Sequence, residues 1–225
     1  MSPLAASELL RAGLLAGLSA VVAEASEPDT PGAGVPEALA QLGAAVLTCQ
    51  LASAWDEPGA VDARIEELAA AEVERALAEL SSIDLLVVDG SSLFARARRA
   101  GGGSAGERRA LLDCLDASWN VTGALASRAF LAPARPGRIV YVAPAPDAGA
   151  HAQAVRAGLE NLARTLSIEW ARHAVTTVAI APAAGGPGAA GEVAALTAYL
   201  ASPAGAYFSG CLLDLRAGAR AETIQ

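Results

Sequence analysis

Gly137-Arg138-Ile139-Val140, Arg156-Ala157-Gly158-Leu159-Glu160-Asn161-Leu162 and Gly210-Cys211-Leu212-Leu213-Asp214-Leu215 frame the second half of this chain. The first and last are of strand length, each with a single charged residue, Arg138 and Asp214. The middle one lies in a long amphipathic stretch over residues 152–173. A further apolar run, residues 176–181, follows it, and residues 192–201 have helical spacing. Strand, helix, strand, helix, strand is the alternation of a parallel sheet wound on both faces.

Working outward, residues 107–132 form another long helix. Residues 83–88 are apolar apart from Asp84, as expected of a strand buried on both faces. Residues 70–80 carry Val73, Leu77 and Leu80 at helical spacing. Strands are expected at 18–23, 45–49 and 61–65. A helix over 36–42 opens on Pro36, which a first helical turn tolerates. Residues 4–15 form a short apolar helical lead, and Gly101-Gly102-Gly103-Ser104 is a flexible break. No internal repeat or composition shift divides residues 1–225, so a single α/β domain is expected.

The 225 residues are 53% hydrophobic and 18% charged, enough apolar content for a substantial core. A net charge of −8 argues against a nucleic-acid partner, because phosphate neutralisation needs clustered cations. The basic residues Arg96, Arg98, Arg99, Arg108 and Arg109 flank the glycine-rich break and read as a solvated loop. Cys49, Cys114 and Cys211 have no metal-ligand spacing, and Cys49 and Cys211 read as reduced core thiols of a cytoplasmic protein. No signal peptide and no apolar run of membrane-spanning length is expected.

Several segments together resemble the short-chain dehydrogenase/reductase family. Ile83-Asp84-Leu85-Leu86-Val87-Val88-Asp89-Gly90 is similar to its "IDvLVNNAG". Trp119-Asn120-Val121-Thr122-Gly123 is similar to its "vNltG". Residues 160–171 and Val178-Ala179-Ile180-Ala181-Pro182 resemble "ENLtrtLAiEwA" and "VNaIAPG". Tyr199-Leu200-Ala201-Ser202-Pro203 resembles "FLASP". The resemblance spans residues 18–218. It implies a Rossmann-type, doubly wound parallel sheet and an NAD(P)-dependent oxidoreductase ancestry.

The same resemblance locates what is missing. The family's phosphate loop is GxxxGxG, because backbone N–H groups at a helix start hold the pyrophosphate. Here Gly32 and Gly34 remain as remnants, while Glu24 stands for the first glycine. The intervening Ala25-Ser26-Glu27-Pro28-Asp29-Thr30-Pro31 is acidic, and its prolines donate nothing. One like charge at about 4 Å costs about 4 kcal/mol at an effective dielectric near 20, roughly a thousandfold in affinity. Gly32-Ala33-Gly34 therefore reads as a plain turn before a helix. Trp55, Asp56 and Glu57 read as a packed surface turn with no ribose partner.

In the family a Tyr lies four residues before a Lys and moves the proton, while a Ser holds the substrate oxygen. The resemblance puts Ala143 in the Ser region, Ala152 at the Tyr, Arg156 at the Lys and Asn120 at the Asn. Only Asn120 survives, and it reads as a helix hydrogen bond. The substrate lid is reduced to residues 183–191, all Ala, Gly and Pro. The association helices 107–132 and 152–173 and the last helix and strand are retained. These remnants imply no catalytic residue, no cofactor and no metal. They imply a structural or regulatory subunit joined to an active short-chain dehydrogenase, as a heterotetramer, or else a homo-oligomer. The alternative is an active NAD(P)-dependent reductase with an atypical proton donor, His151, Tyr141 or Asp147.

Overall fold

The computed structural model describes residues 9–57, 59–184 and 188–216. Twelve main elements follow the chain: β1 (Ser19–Glu24), α1 (Val35–Gln41), β2 (Ala45–Gln50), α2 (Val61–Glu79), β3 (Leu85–Asp89), α3 (Gly90–Ala100), α4 (Gly103–Ala126), β4 (Gly137–Val142), α5 (Ala152–Glu169), β5 (Val175–Ala181), α6 (Ala189–Ala201) and β6 (Cys211–Asp214). The six strands form one parallel sheet in the order β2-β1-β3-β4-β5-β6. This is the single-domain, doubly wound architecture that the alternation of elements implies.

Alternate residues of each strand enter different cores. Val21, Ala23, Leu86, Val88, Ile139 and Tyr141 pack with α2, α3, α4 and α5. Ala20, Val22, Leu85, Val87, Val140 and Val142 pack with α1 and α6. Burial on both faces explains the unbroken apolar runs. Gly137 is required where β4 begins, because a Cβ there would stand 2.5–2.6 Å from the Phe130 ring. Arg138, the next residue, donates to the carbonyls of Leu200, Ala201 and Ser202 and so caps the C-terminus of α6. Burial lowers the pKa of its guanidinium from the ordinary value.

Three expectations are corrected. Residues 61–65 are not a strand but the first turns of α2, which runs unbroken through Val61–Glu79. Among the described residues no further strand extends the sheet past β2. On that outer edge the Gln50 N–H donates to Glu72 Oε2 at 2.9 Å, and Arg75 donates to the Thr48 carbonyl at 2.5 Å. The arginine run is not a loop: Arg96, Arg98 and Arg99 lie on α3 and pair with Asp56, Glu107 and Glu27. Of the helical lead, residues 4–8 lie outside the described residues, and residues 11–17 are turns apart from Arg11 itself. Among the described residues no helix is long and apolar enough to cross a membrane.

Candidate functional site

The sheet order reverses between β1 and β3. In such sheets the ligand crevice opens outside the carboxyl ends of the strands at that point. Glu24, Gln50 and Asp89 are the last residues of β1, β2 and β3 and so form its floor. Gln50 Nε2 donates to Glu24 Oε1 at 2.7 Å, and Ser26 Oγ donates to Gln50 Oε1 at 2.6 Å. Burial raises the Glu24 pKa, the Gln50 bond opposes that, and nearby Asp89 adds to it.

Asp89 closes β3 and caps α3. Its Oδ1 accepts the N–H groups of Ser91 and Ser92, each at 3.1 Å, and the Ser91 hydroxyl. Its side chain is fully buried, and Oδ2 has no hydrogen-bond partner. Burial raises the Asp89 pKa, against the bonds from Ser91 and Ser92.

The loop between β1 and α1 rests on this turn. The Ala25 N–H donates to Ser92 Oγ at 3.1 Å and the Gly32 N–H to Ser91 Oγ at 3.2 Å. The Ala33 and Val35 N–H groups go to the carbonyls of Thr30 and Gly32. Glu27 is buried and paired with Arg99. Gly32 lacks a side chain for a reason internal to the chain: a Cβ there would lie 2.2–2.4 Å from the Asp89 carboxyl atoms. Gly34 faces the start of α6, 3.9 Å from the Ala190 carbonyl on the same measure. Residues 31–34 are the expected turn before a helix. Three of the loop's N–H groups, those of Ala25, Gly32 and Ala33, are already bonded, Pro28 and Pro31 have none, and Glu24, Glu27 and Asp89 place carboxyl groups at the loop. Those prolines and carboxyls do not fit a dinucleotide pyrophosphate.

Two of the four positions that the resemblance matches to catalytic residues, Ala143 and Ala152, are apolar. Ala143, just past β4, is fully buried, and its N–H donates to the Ile180 carbonyl at 2.9 Å. Ala152, the first residue of α5, is buried in the same core as Ala143 and Tyr141. Arg156 lies on α5, donates to Gln153 Oε1 at 3.2 Å and pairs with Glu160 at 3.7 Å. Asn120 is half-buried on α4 between exposed Trp119 and buried Val121. The structure thus brings Ala143 and Ala152 into one core and leaves Arg156 engaged with its own helix.

Of the alternative proton donors, Tyr141 is excluded by position. It is fully buried, shares a 3.1 Å hydrogen bond with Thr122, and burial pushes its pKa up. His151 stands at the N-cap of α5 and is half-buried; Asp147 is exposed. The loop that carries them is pinned by Arg98, which donates to the Ala148 carbonyl and holds Glu107 at 2.7 Å. The Arg98 guanidinium also sits 5.7 Å from the centre of the Phe94 ring. Of the lid expected over residues 183–191, residues 185–187 lie outside the described residues, and α6 already begins at Ala189. A separate cavity of about 590 Å3, lined in part by Leu15, Leu18, Arg138 and Thr176, lies at the opposite end of the strands.

Sequence reasoning missed Asp89, Ser91, Ser92 and Arg98. The Asp89-Gly90-Ser91-Ser92 string carried a usable signal, since a short acceptor side chain before an apolar Leu93-Phe94 pair marks a helix start.

No protein-family model matches the chain. Solved structures do. The citronellol catabolism dehydrogenase AtuB of Pseudomonas aeruginosa PAO1 is 23% identical, covering 92% of this chain and 96% of its own, with a TM-score of 0.68. A Serratia marcescens short-chain dehydrogenase/reductase variant is 22% identical over 89% and 96%, with a TM-score of 0.67. The 3-ketoacyl-(acyl-carrier-protein) reductase of Brucella melitensis, in complex with NADH, is 21% identical over 89% and 97%, with a TM-score of 0.67. At these identities the likeness is one of backbone, and it extends over nearly the whole of both partners in each comparison. The chain has the fold of the short-chain dehydrogenases and reductases.

Proposed function

We propose that this protein is a non-catalytic member of an oxidoreductase assembly, built on the short-chain dehydrogenase fold and paired with an active enzyme of that fold. The observation that carries the reading is the burial of Ala143 and Ala152 in one apolar core. The resemblance places the Ser and Tyr of the family there. A methyl group can neither move a proton nor hold a substrate oxygen. The prolines and carboxyl groups of the 25–34 loop support the same reading on the cofactor side, so no NAD(P) is assigned to this chain.

What such a protein keeps is surface. Trp119 and Leu112 on α4 are about half exposed, and Ile168 on α5 is 78% exposed. Large exposed apolar side chains on adjoining helices suit a protein partner. The partner is an intact short-chain dehydrogenase, the assembly a heterotetramer and its compartment the cytoplasm. The test is co-expression with intact short-chain dehydrogenases of the same genome, followed by affinity purification and mass measurement. Stoichiometric recovery of one such enzyme supports the reading; a stable species containing this chain alone defeats it.

The second reading is an NAD(P)-dependent reductase that uses His151. It rests on one observation, the half-buried His151 at the N-cap of α5 beside Ala152. Calorimetry with NAD, NADH, NADP and NADPH separates the two, since micromolar binding of any of them favours the enzyme.

A further inference from the structure

We propose that Asp89 is a proton-controlled latch: as a neutral acid it holds the 25–34 loop shut over the crevice between β1 and β3, and on losing its proton it releases the loop. This goes beyond the assembly reading and does not depend on it.

The two carboxyl oxygens of Asp89 are used unequally. Oδ1 takes three donors from the start of α3, while Oδ2 has none and is sealed from solvent. An ionised carboxylate buried with one bare oxygen is far costlier than the neutral acid. Gly32 lies directly over this group, so close that a single Cβ would overlap all three carboxyl atoms. The loop is tied to the same turn twice, at Ala25 and Gly32, through the hydroxyls of Ser92 and Ser91. The Gly32 tie runs through the Ser91 hydroxyl to Oδ1 of Asp89, so that tie and the covering contact meet at the carboxyl that titrates, while the Ala25 tie ends on Ser92, whose hydroxyl donates to the Asp89 main-chain carbonyl.

Among the described residues no cation pairs with Asp89. The titratable neighbours on the packed elements are Glu24 on β1, Cys114 on α4, and Glu27 on the loop, already paired with Arg99 of α3. A charge on Asp89 would be repelled by Glu24. Opening the loop lets water reach Oδ2 and relieves both costs. Burial raises the Asp89 pKa in the closed form, and an open loop returns it to the ordinary carboxylate range near 4. The sign follows from linkage: the closed form is fully favoured below the open-state pKa and loses ground as pH rises to the closed-state value. Across that window the opening constant grows about tenfold per pH unit, and it is flat above.

The experiment is amide hydrogen exchange of the peptide spanning residues 25–34, from pH 4.5 to 9, corrected for intrinsic rates and referred to a peptide inside α4. The wild type is expected to lose about tenfold protection per pH unit before reaching a plateau, while Asp89→Asn keeps constant protection. Equal pH dependence in the two proteins, or none in the wild type, overturns the proposal. If Asp89→Asn does not fold, carbon-13 titration of the Asp89 carboxyl in the wild type decides. A midpoint well above the ordinary carboxylate range supports the latch, and one near 4 sinks it.

Discussion

The indole N–H of Trp55 donates to Oδ2 of Asp113 at 3.0 Å, joining the short 3-10 helix Ala52–Trp55 after β2 to α4. Both side chains are buried, and Asp113 also takes the Arg109 guanidinium on Oδ1. The packed surface turn read from the sequence is anchored by buried Trp55, while Asp56 and Glu57 stay exposed. Trp55→Phe leaves Oδ2 without its donor, and a buried carboxylate oxygen stripped of a partner costs about 1–3 kcal/mol. The urea midpoint should fall accordingly at an unchanged slope; a shift within error removes the anchor role.

Gly32→Ala tests the contact beneath the 25–34 loop. The added methyl meets the Asp89 carboxyl at 2.2–2.4 Å, and that carboxyl is fixed by its three bonds to Ser91 and Ser92. Overpacking of this kind costs about 1–3 kcal/mol. Gly34→Ala, whose methyl would stand 3.9 Å from its nearest neighbour, is the matched control and should be close to neutral. Similar losses at both positions would show that backbone freedom, rather than contact with Asp89, is what Gly32 provides.

Thr122 and Tyr141 share a hydrogen bond in full burial, which predicts a particular pattern of non-additivity. Thr122→Val and Tyr141→Phe each leave one hydroxyl stranded, at about 1–3 kcal/mol. The double variant leaves none stranded, so its loss should be smaller than the sum of the two. A denaturation cycle showing simple additivity would mean that the hydroxyls are satisfied elsewhere.

Asp214, the last residue of β6, is bonded by the Arg216 guanidinium, which brings its pKa down to about 2. A depressed carboxylate stabilises the fold above its unfolded pKa, near 3.9, and loses that contribution as pH falls toward the folded value. The stability difference between wild type and Asp214→Asn should therefore be constant above about pH 5 and shrink between about pH 4 and 2. Chemical denaturation at several pH values reads it directly. A difference that stays constant down to pH 2 would show that the pair forms equally in the unfolded chain.

Physical reasons separate what was legible in the sequence from what was not. Residues 85–88 of β3 and 178–181 of β5 are continuous apolar runs because both faces of the sheet are covered, so their type could be read without partners. The start of α2 could not. Val61-Asp62-Ala63-Arg64-Ile65 alternates apolar and polar, and five residues cannot distinguish a period of two from one of 3.6. Only the fuller spacing of Ile65, Ala69, Val73 and Ala76 does so. The Gly32–Gly34 turn was legible because it depends on local sequence. The ties from Ala25 to Ser92 and from Gly32 to Ser91 span 67 and 59 residues, and the Glu27–Arg99 pair joins a loop to a helix expected to be a loop. No local pattern encodes them.

The outer edge of β2 carries a consequence for the protein's behaviour at high concentration. A strand that ends a sheet can recruit another strand and start filament growth. Here the N–H of Gln50 and the carbonyl of Thr48 are occupied by Glu72 and Arg75, which pair with each other at 2.8 Å. Two side chains of one helix thus occupy groups that an added strand would need. Conditions that neutralise Glu72 or screen its attraction to Arg75 weaken that cover.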